Sequence, residues 1–228
     1  MYKHLSREIA RGRGLRGLPR PAGLHQGARA GQAQLQRSAR SGVGLAARDR
    51  RGQIPHRCPI SQRPAHVEQR KRIGHWEGDT VIGAAHQQAV LTLVERKSGF
   101  AQIVKVSHKS ADLVSQAIED KLKPLAARVK TLTVDNGKEF AYHQMVDQTL
   151  GIQTYFADPY SSWQRGSNEN FNGLLRQYIP KKRRMDTVSD EELAMIQNRL
   201  NHRPRKRLGF KTPHEVFYAS FKRVALRA

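Results

Sequence analysis

The chain has 228 residues, 38% of them hydrophobic, and a net charge of +22 from 41 Lys and Arg against 19 Asp and Glu. No fold needs that excess, which costs self-repulsion; it points to a polyanionic partner, nucleic acid first and an anionic membrane surface second. The single cysteine, Cys58, excludes an internal disulfide and a Cys/His zinc framework, no apolar run reaches the length of a membrane span, and the basic N-terminus lacks the apolar segment of a secretory signal. A cytoplasmic chain in a reducing compartment, associated with nucleic acid, is the expectation.

The first 70 residues hold 15 Lys and Arg against 3 Asp and Glu, and half of the 18 glycines lie before residue 53. Residues 1–48 sustain neither helical nor strand periodicity. They cannot bury enough apolar surface to offset ordering entropy and read as a basic, disordered arm. Two readings of that arm stand: a basic tail that holds DNA, or text with the Arg, Gly, Ala, Leu and Gln bias of a GC-rich gene read out of frame. Residues 49–71 read as a linker.

From residue 72 the pattern changes. The segments 76–83, 89–96 and 100–107 are rich in Val, Ile, Leu and Thr with short connections, which predicts an antiparallel meander. Ala111, Val114, Ile118 and Leu122 form a helical stripe that Pro124 ends. A strand is predicted at 128–135, turned by Asn136 and Gly137. A helix with a less regular stripe follows at 138–150, then a strand at 152–156, a loop, and a helix at 166–178. The order βββαβαβα is that of an α/β ribonuclease H-like core with a mixed five-stranded sheet, expected over residues 72–180. Beyond it, 181–228 reads as a basic helical extension. One helix is predicted at 190–203, and another opens with Thr212 as N-cap and Pro213 at the first helical position.

Three acids stand out. Asp79 lies inside the first predicted strand, sharing a face with Glu77 and Val81. An acid there is costly to bury unless paired or metal-bound; an edge strand facing solvent is the plain alternative. Asp135 ends an apolar strand, where Asp-Asn-Gly is also ordinary turn chemistry. Glu169 lies two residues before Phe171, about 200° around the helix from the stripe of Phe171, Leu174, Leu175 and Tyr178. That places it with Asn172 and Arg176, as a surface glutamate would also be. In the expected fold the first and fourth strands are parallel neighbours, so Asp79 and Asp135 come side by side. Two like charges so placed call for a cation between them. Carboxylates suit Mg²⁺ or Mn²⁺, and two such ions can activate the attacking oxygen and stabilise the leaving oxygen of a phosphodiester.

The set Asp79, Asp135 and Glu169, with 33 residues between the last two, resembles the DDE motif of insertion-sequence transposases and retroviral integrases. The blocks HWEGDTVIG, LTLVERKSGF, VDNGKEF, YFADPYSSWQRGSNENFNGLLRQYIPK and LNHRPRKRLGFKTPHEVF together resemble the IS-thirty family of bacterial transposases, from about Asp49 to Phe217. The resemblance implies a DNA transposase that cleaves and joins strands with two divalent ions on the three acids, acts on double-stranded DNA and works as a homo-oligomer. It also implies a helix-turn-helix region ahead of the core, of which residues 1–48 show no trace. The alternatives are a non-catalytic DNA-binding remnant and a simple metal-dependent nuclease of the same fold.

The DNA-facing candidates surround these acids. Lys181, Lys182, Arg183 and Arg184 form one basic block, and Arg203, Arg205, Lys206 and Arg207 a second; both could track phosphates or be merely solvated. Trp163, beside Tyr160 and Arg165, could stack on a splayed base or pack beneath its loop. Asn168, Asn172 and Arg176 flank Glu169 and could orient it or touch DNA. His75 and His143 lack ligand spacing. No phosphate-cradling glycine loop is present, so ATP is not implied.

Overall fold

The computed structural model describes residues 54–84 and 88–225. The expected arm at 1–48 lies outside the described residues. After a two-residue strand, β1 (Cys58–Pro59), three strands form a meander: β2 (His75–Ile82), β3 (Ala89–Glu95) and β4 (Ala101–Val106), antiparallel in succession. Every residue of β3 is buried, the signature of a central strand covered on both faces. Helix α1 (Ala111–Leu122) follows, burying Val114, Ile118 and Leu122 as the stripe requires. Strand β5 (Thr131–Val134), helix α2 (His143–Leu150), strand β6 (Gln153–Phe156) and helix α3 (Gly166–Leu175) complete the core.

The sheet order is β1-β6-β5-β2-β3-β4, with β5 parallel to both β2 and β6. The sheet therefore has six strands, not five. The extra one, β1 (Cys58–Pro59), pairs in parallel with Tyr155 and Phe156 at the edge. Two residues carry no readable period, and Pro59 belongs at an edge because it has no N–H to donate inward. The stretch read as a linker thus packs on the fold: Val67 is fully buried, and the Arg63 guanidinium donates to Thr133 Oγ1 at 2.8 Å.

Helices cover both faces. On one, Trp76, Leu91, Leu93, Leu132 and Val134 pack with α1, α2, Phe140 and Phe217. On the other, Val81, Val90, Val94 and Ile103 pack with Phe171 and Leu175 of α3 and with Leu193, Ile196 and Leu200 of α4 (Asp190–Asn201). The alternation along β2 places Trp76 in the first layer and Val81 in the second, as its period demands. This is a ribonuclease H-like α/β fold.

Boundaries moved where local bonding differed from a regular helix. Lys138–Phe140 form a separate 3₁₀ turn, and α2 begins only at His143, with Met145 exposed. That break explains the irregular stripe. Gly151, left-handed at φ 65°, ends α2. Helix α5 (Pro213–Ala225) opens with a reciprocal cap: Glu215 N–H donates to Thr212 Oγ1 at 3.1 Å, and Thr212 N–H to Glu215 Oε2 at 2.7 Å. Gly83 is forced by close approach, since a Cβ there would stand 2.5 Å from the Arg183 carbonyl oxygen. The crossing seats the 181–184 basic segment beside the end of β2, where Ala84 bridges Arg184 in parallel.

Candidate active site

The register pairs Glu77 of β2 with Thr133 of β5. Two residues further on stand Asp79, inside β2, and Asp135, just past the carboxyl end of β5, at the same level on neighbouring parallel strands. One guanidinium lies between them: Arg165 Nη1 is 3.2 Å from Asp79 Oδ1, and its Nη2 is 3.2 Å from Asp135 Oδ2. The remaining oxygens are held by the frame. Asn172 Nδ2 donates to Asp79 Oδ2 at 2.8 Å, and Gly137 N–H donates to Asp135 Oδ1 at 2.9 Å. The Thr80 N–H adds a 2.9 Å bond to Asp79 Oδ1. Burial pushes the Asp79 carboxyl above its ordinary value; Arg165 opposes that shift and Asp135 adds to it.

Glu169 stands apart. It sits exposed on the first turn of α3. Among the described residues no three of His, Cys, Asp and Glu are gathered closely enough to hold a metal ion. The two strand acids do fit a hard divalent cation. They offer oxygen donors to a position that a positive group already takes, and each keeps one oxygen fixed by the protein. The third acid is not among them in this arrangement.

The neighbouring candidates divide by what they touch. Arg165 belongs to the acid pair. Asn172 serves Asp79 and also accepts from Thr92 Oγ1 at 3.0 Å. Asn168 is fully buried, so its expected DNA contact is corrected: its N–H donates to Glu77 Oε2 at 2.8 Å, and its side chain faces Thr92. The helix turns Asn168 onto the sheet, one residue before Glu169 faces outward. Arg176 donates to the Ile82 carbonyl at 2.8 Å and anchors the end of β2. Arg183 is engaged by Glu192 through bonds of 2.6 and 2.7 Å, and Arg184 by Asp186 at 2.6 Å. Lys181, Lys182 and Lys206 are exposed. Arg203 reaches Gln177 at 3.3 Å, and Arg205 donates to the Leu200 carbonyl at 3.0 Å. Trp163 does not pack beneath its loop; it is 70% exposed, with Tyr160 fully exposed nearby.

Sequence reasoning missed the buried partner of Glu77. Arg96 Nε lies 2.9 Å from Glu77 Oε1, and both side chains are excluded from solvent. The signal was present, since Glu77 shares the Asp79 face of an otherwise apolar strand. It also missed Glu139, buried against Thr80 Oγ1 at 2.9 Å and Lys109 Nζ at 2.6 Å. That residue lies within the VDNGKEF block, of which only Asp135 was singled out.

With this geometry in place, comparison with known proteins is direct. Residues 69–162 match the family described as Integrase core domain, which takes in Asp79 and Asp135 and stops short of Glu169. The chain is 47% identical over 167 residues to the transposase for insertion sequence element IS4351 of Bacteroides fragilis, covering 73% of this chain and 51% of that protein. It is 44% identical over 164 residues to transposase InsI for insertion sequence element IS30A of Escherichia coli, covering 72% of this chain and 43% of that protein. The chain thus spans about half the length of the curated relatives it matches. Among solved structures, a chain of the simian T-cell lymphotropic virus intasome in complex with PP2A regulatory subunit B56 gamma superposes with a TM-score of 0.52 at 22% identity, over 64% of this chain and 55% of that one. That likeness bears on the fold alone.

Proposed function

This chain carries a DDE, retroviral-integrase-like transposase core closely related to the IS30 family, and we propose that it uses that core for metal-dependent cleavage and joining of DNA strands. The observation that carries the reading is the convergence of Asp79 and Asp135, from adjacent parallel strands, on a single cation position. Asp79 and Asp135 would hold Mg²⁺ or Mn²⁺, with Glu169 as the third carboxylate. When bound, a pair of such ions activates the attacking oxygen and stabilises the leaving oxygen of a phosphodiester.

The chain's own residues prepare that chemistry. Asn172 and the Gly137 N–H each fix one oxygen, so the other oxygens of the two acids, which share Arg165, face the same point and need little reorganisation. The buried frame of Glu77, Arg96 and Asn168 holds α3 against β2, and α3 carries both Asn172 and Glu169. Lys181, Lys182, Arg203 and Lys206 are free to meet phosphates of double-stranded DNA, and the exposed Trp163 offers a ring for base stacking. The net charge of +22 suits the phosphates of DNA, and among the described residues no helix is long and apolar enough to cross a membrane. Action as a homo-oligomer is part of the same proposal.

A second reading, a DNA-binding remnant without catalysis, is favoured by one observation: Glu169 is not gathered with the other two acids. One experiment separates the readings. A labelled, pre-cut terminal inverted repeat is mixed with plasmid, the purified chain and Mg²⁺ or Mn²⁺. Joined product that disappears with Asp135→Asn is the expected result. Folding and DNA binding without any joined product would support the remnant, and cleavage without joining would support a simple nuclease.

A further inference from the structure

Beside the first turns of α3 lies a cleft of about 170 Å³, lined by Arg70, Ser167, Asn170, Phe171, Arg205 and Arg207 among others. Its three arginines come from two distant segments, one preceding β2 and one joining α4 to α5. Among the described residues none of the three forms an ion pair with a carboxylate. Arg205 and Arg207 are steered by backbone instead: one donates to the Leu200 carbonyl at 3.0 Å, the other to the Lys97 carbonyl at 2.9 Å. Arg70 adopts a left-handed backbone at φ 50°, an uncommon conformation for a residue with a Cβ.

Three cations facing one cleft repel one another unless an anion joins them. Partial desolvation lowers the affinity of Arg205 and Arg207 for their protons and the neighbouring arginines lower it further, while Tyr178 opposes the shift at Arg205 and Glu95 opposes it at Arg207. The Ser167 hydroxyl, on the same wall, is shielded from solvent and has no hydrogen-bond partner among the described residues. An unmade hydrogen bond at a buried hydroxyl is itself a sign of a missing acceptor. Helix α3 adds little of its own, because the Asn168 N–H is already taken by Glu77. The attraction therefore comes from side chains: guanidinium forks, which suit tetrahedral oxyanions, plus one hydroxyl donor.

We propose that this cleft is a phosphate seat, in which Arg70, Arg205, Arg207 and Ser167 Oγ hold one phosphate group. The group is either a phosphodiester of the DNA backbone or free inorganic phosphate. The inference rests on the DNA reading only for the source of that phosphate. The seat is separate from the Asp79–Asp135 pair, so it predicts that Asp135→Asn keeps it intact even where strand joining is lost.

The test uses the full chain. Thermal melting is followed with and without inorganic phosphate at matched ionic strength, and the affinity for a labelled DNA duplex is followed across a salt series. The variants are Arg70→Gln, whose exposed side chain makes no hydrogen bond among the described residues, Arg70→Gln with Arg207→Gln, and Ser167→Ala. Lys121→Gln with Lys123→Gln, at the end of α1 and outside both sites, controls for charge alone. Phosphate should raise the melting temperature of the unmodified chain and of the lysine variant. The shift should shrink in Arg70→Gln and in Ser167→Ala and vanish in the double arginine variant. If the seat holds DNA, the salt slope of the double arginine variant also falls by about one. An unchanged slope with a lost shift assigns the seat to free phosphate. No phosphate-dependent shift in the unmodified chain overturns the proposal whatever the slope does, and so does a shift that the lysine control removes equally.

Discussion

Glu77 and Asp79 share one face of β2, two residues apart, yet they end in opposite states. Glu77 is excluded from solvent, ion-paired to Arg96 at 2.9 Å, and bonded by the Asn168 N–H. The Asp79 side chain is 23% exposed and faces a guanidinium, Arg165, that it shares with a second acid, Asp135. The strand thus has a closed end and an open end. At the closed end the charge is committed, because a buried ion that loses its partner has no water to turn to. At the open end the charge is paired but reaches solvent, and the proposed metal site requires a cation from solution to replace the arginine there. An acid in a strand is therefore not a catalytic signal in itself; whether its partner can leave decides it.

The sharpest way to break this comparison is to neutralise the open end. Asp79→Asn should lower strand joining roughly ten-thousandfold, equivalent to ~5 kcal/mol of barrier. Its melting temperature should stay close to that of the unmodified chain. Joining that survives would mean the open end is not the reacting one.

The closed end should answer in stability instead. Glu77→Gln removes the buried carboxylate of Arg96 and leaves it only the exposed Glu68 at 3.1 Å, and should cost about 3 kcal/mol, read from the urea midpoint. A midpoint that does not move would erase the distinction between the two ends.

His75 begins the same strand at the closed end and is 3% exposed. Burial, reinforced by His66, Lys130, Arg96 and Arg63, lowers its pKa from 6.5 to about 4. Between those values the unfolded chain binds the proton and the folded chain does not. Its contribution is therefore complete above about pH 6.5 and is lost as the pH falls towards 4, about 3 kcal/mol in all. Unfolding followed over that range should show the loss, and His75→Gln should flatten it.

The smallest effect concerns Arg165. Replacing it with Met removes the resident cation, so Mn²⁺ binding followed by electron paramagnetic resonance should tighten about tenfold, ~1.4 kcal/mol. Weaker binding would show that the arginine assists the ion rather than competing with it.

Much of the architecture was legible before any coordinates. Period-2 alternation separated Trp76 from Val81, the stripe through Val114, Ile118 and Leu122 marked a helix, and Thr212 with Pro213 announced another. These are local properties of dihedral angle and burial, written within a few residues of where they act. The pairing of Asp79 with Asp135 followed from the order of elements, since that order makes their strands parallel neighbours.

The tertiary structure decided the rest, because polar partners are chosen where distant segments cross. Arg165 meets its acids from 86 and 30 residues away, and Asn172 reaches Asp79 across 93. The helix that buries Asn168 turns Glu169 outward, a matter of one residue's rotation on a packed surface. Strand β1 exists only because β6 offers it an edge. The sequence by itself determined the strands and helices of the core from β2 onward, their order, and which acids could meet. Which charges are locked, which can be exchanged, and which stands apart was decided by the packing of α3 on the sheet, because a side chain's solvent access and partners belong to the folded surface and to no single segment.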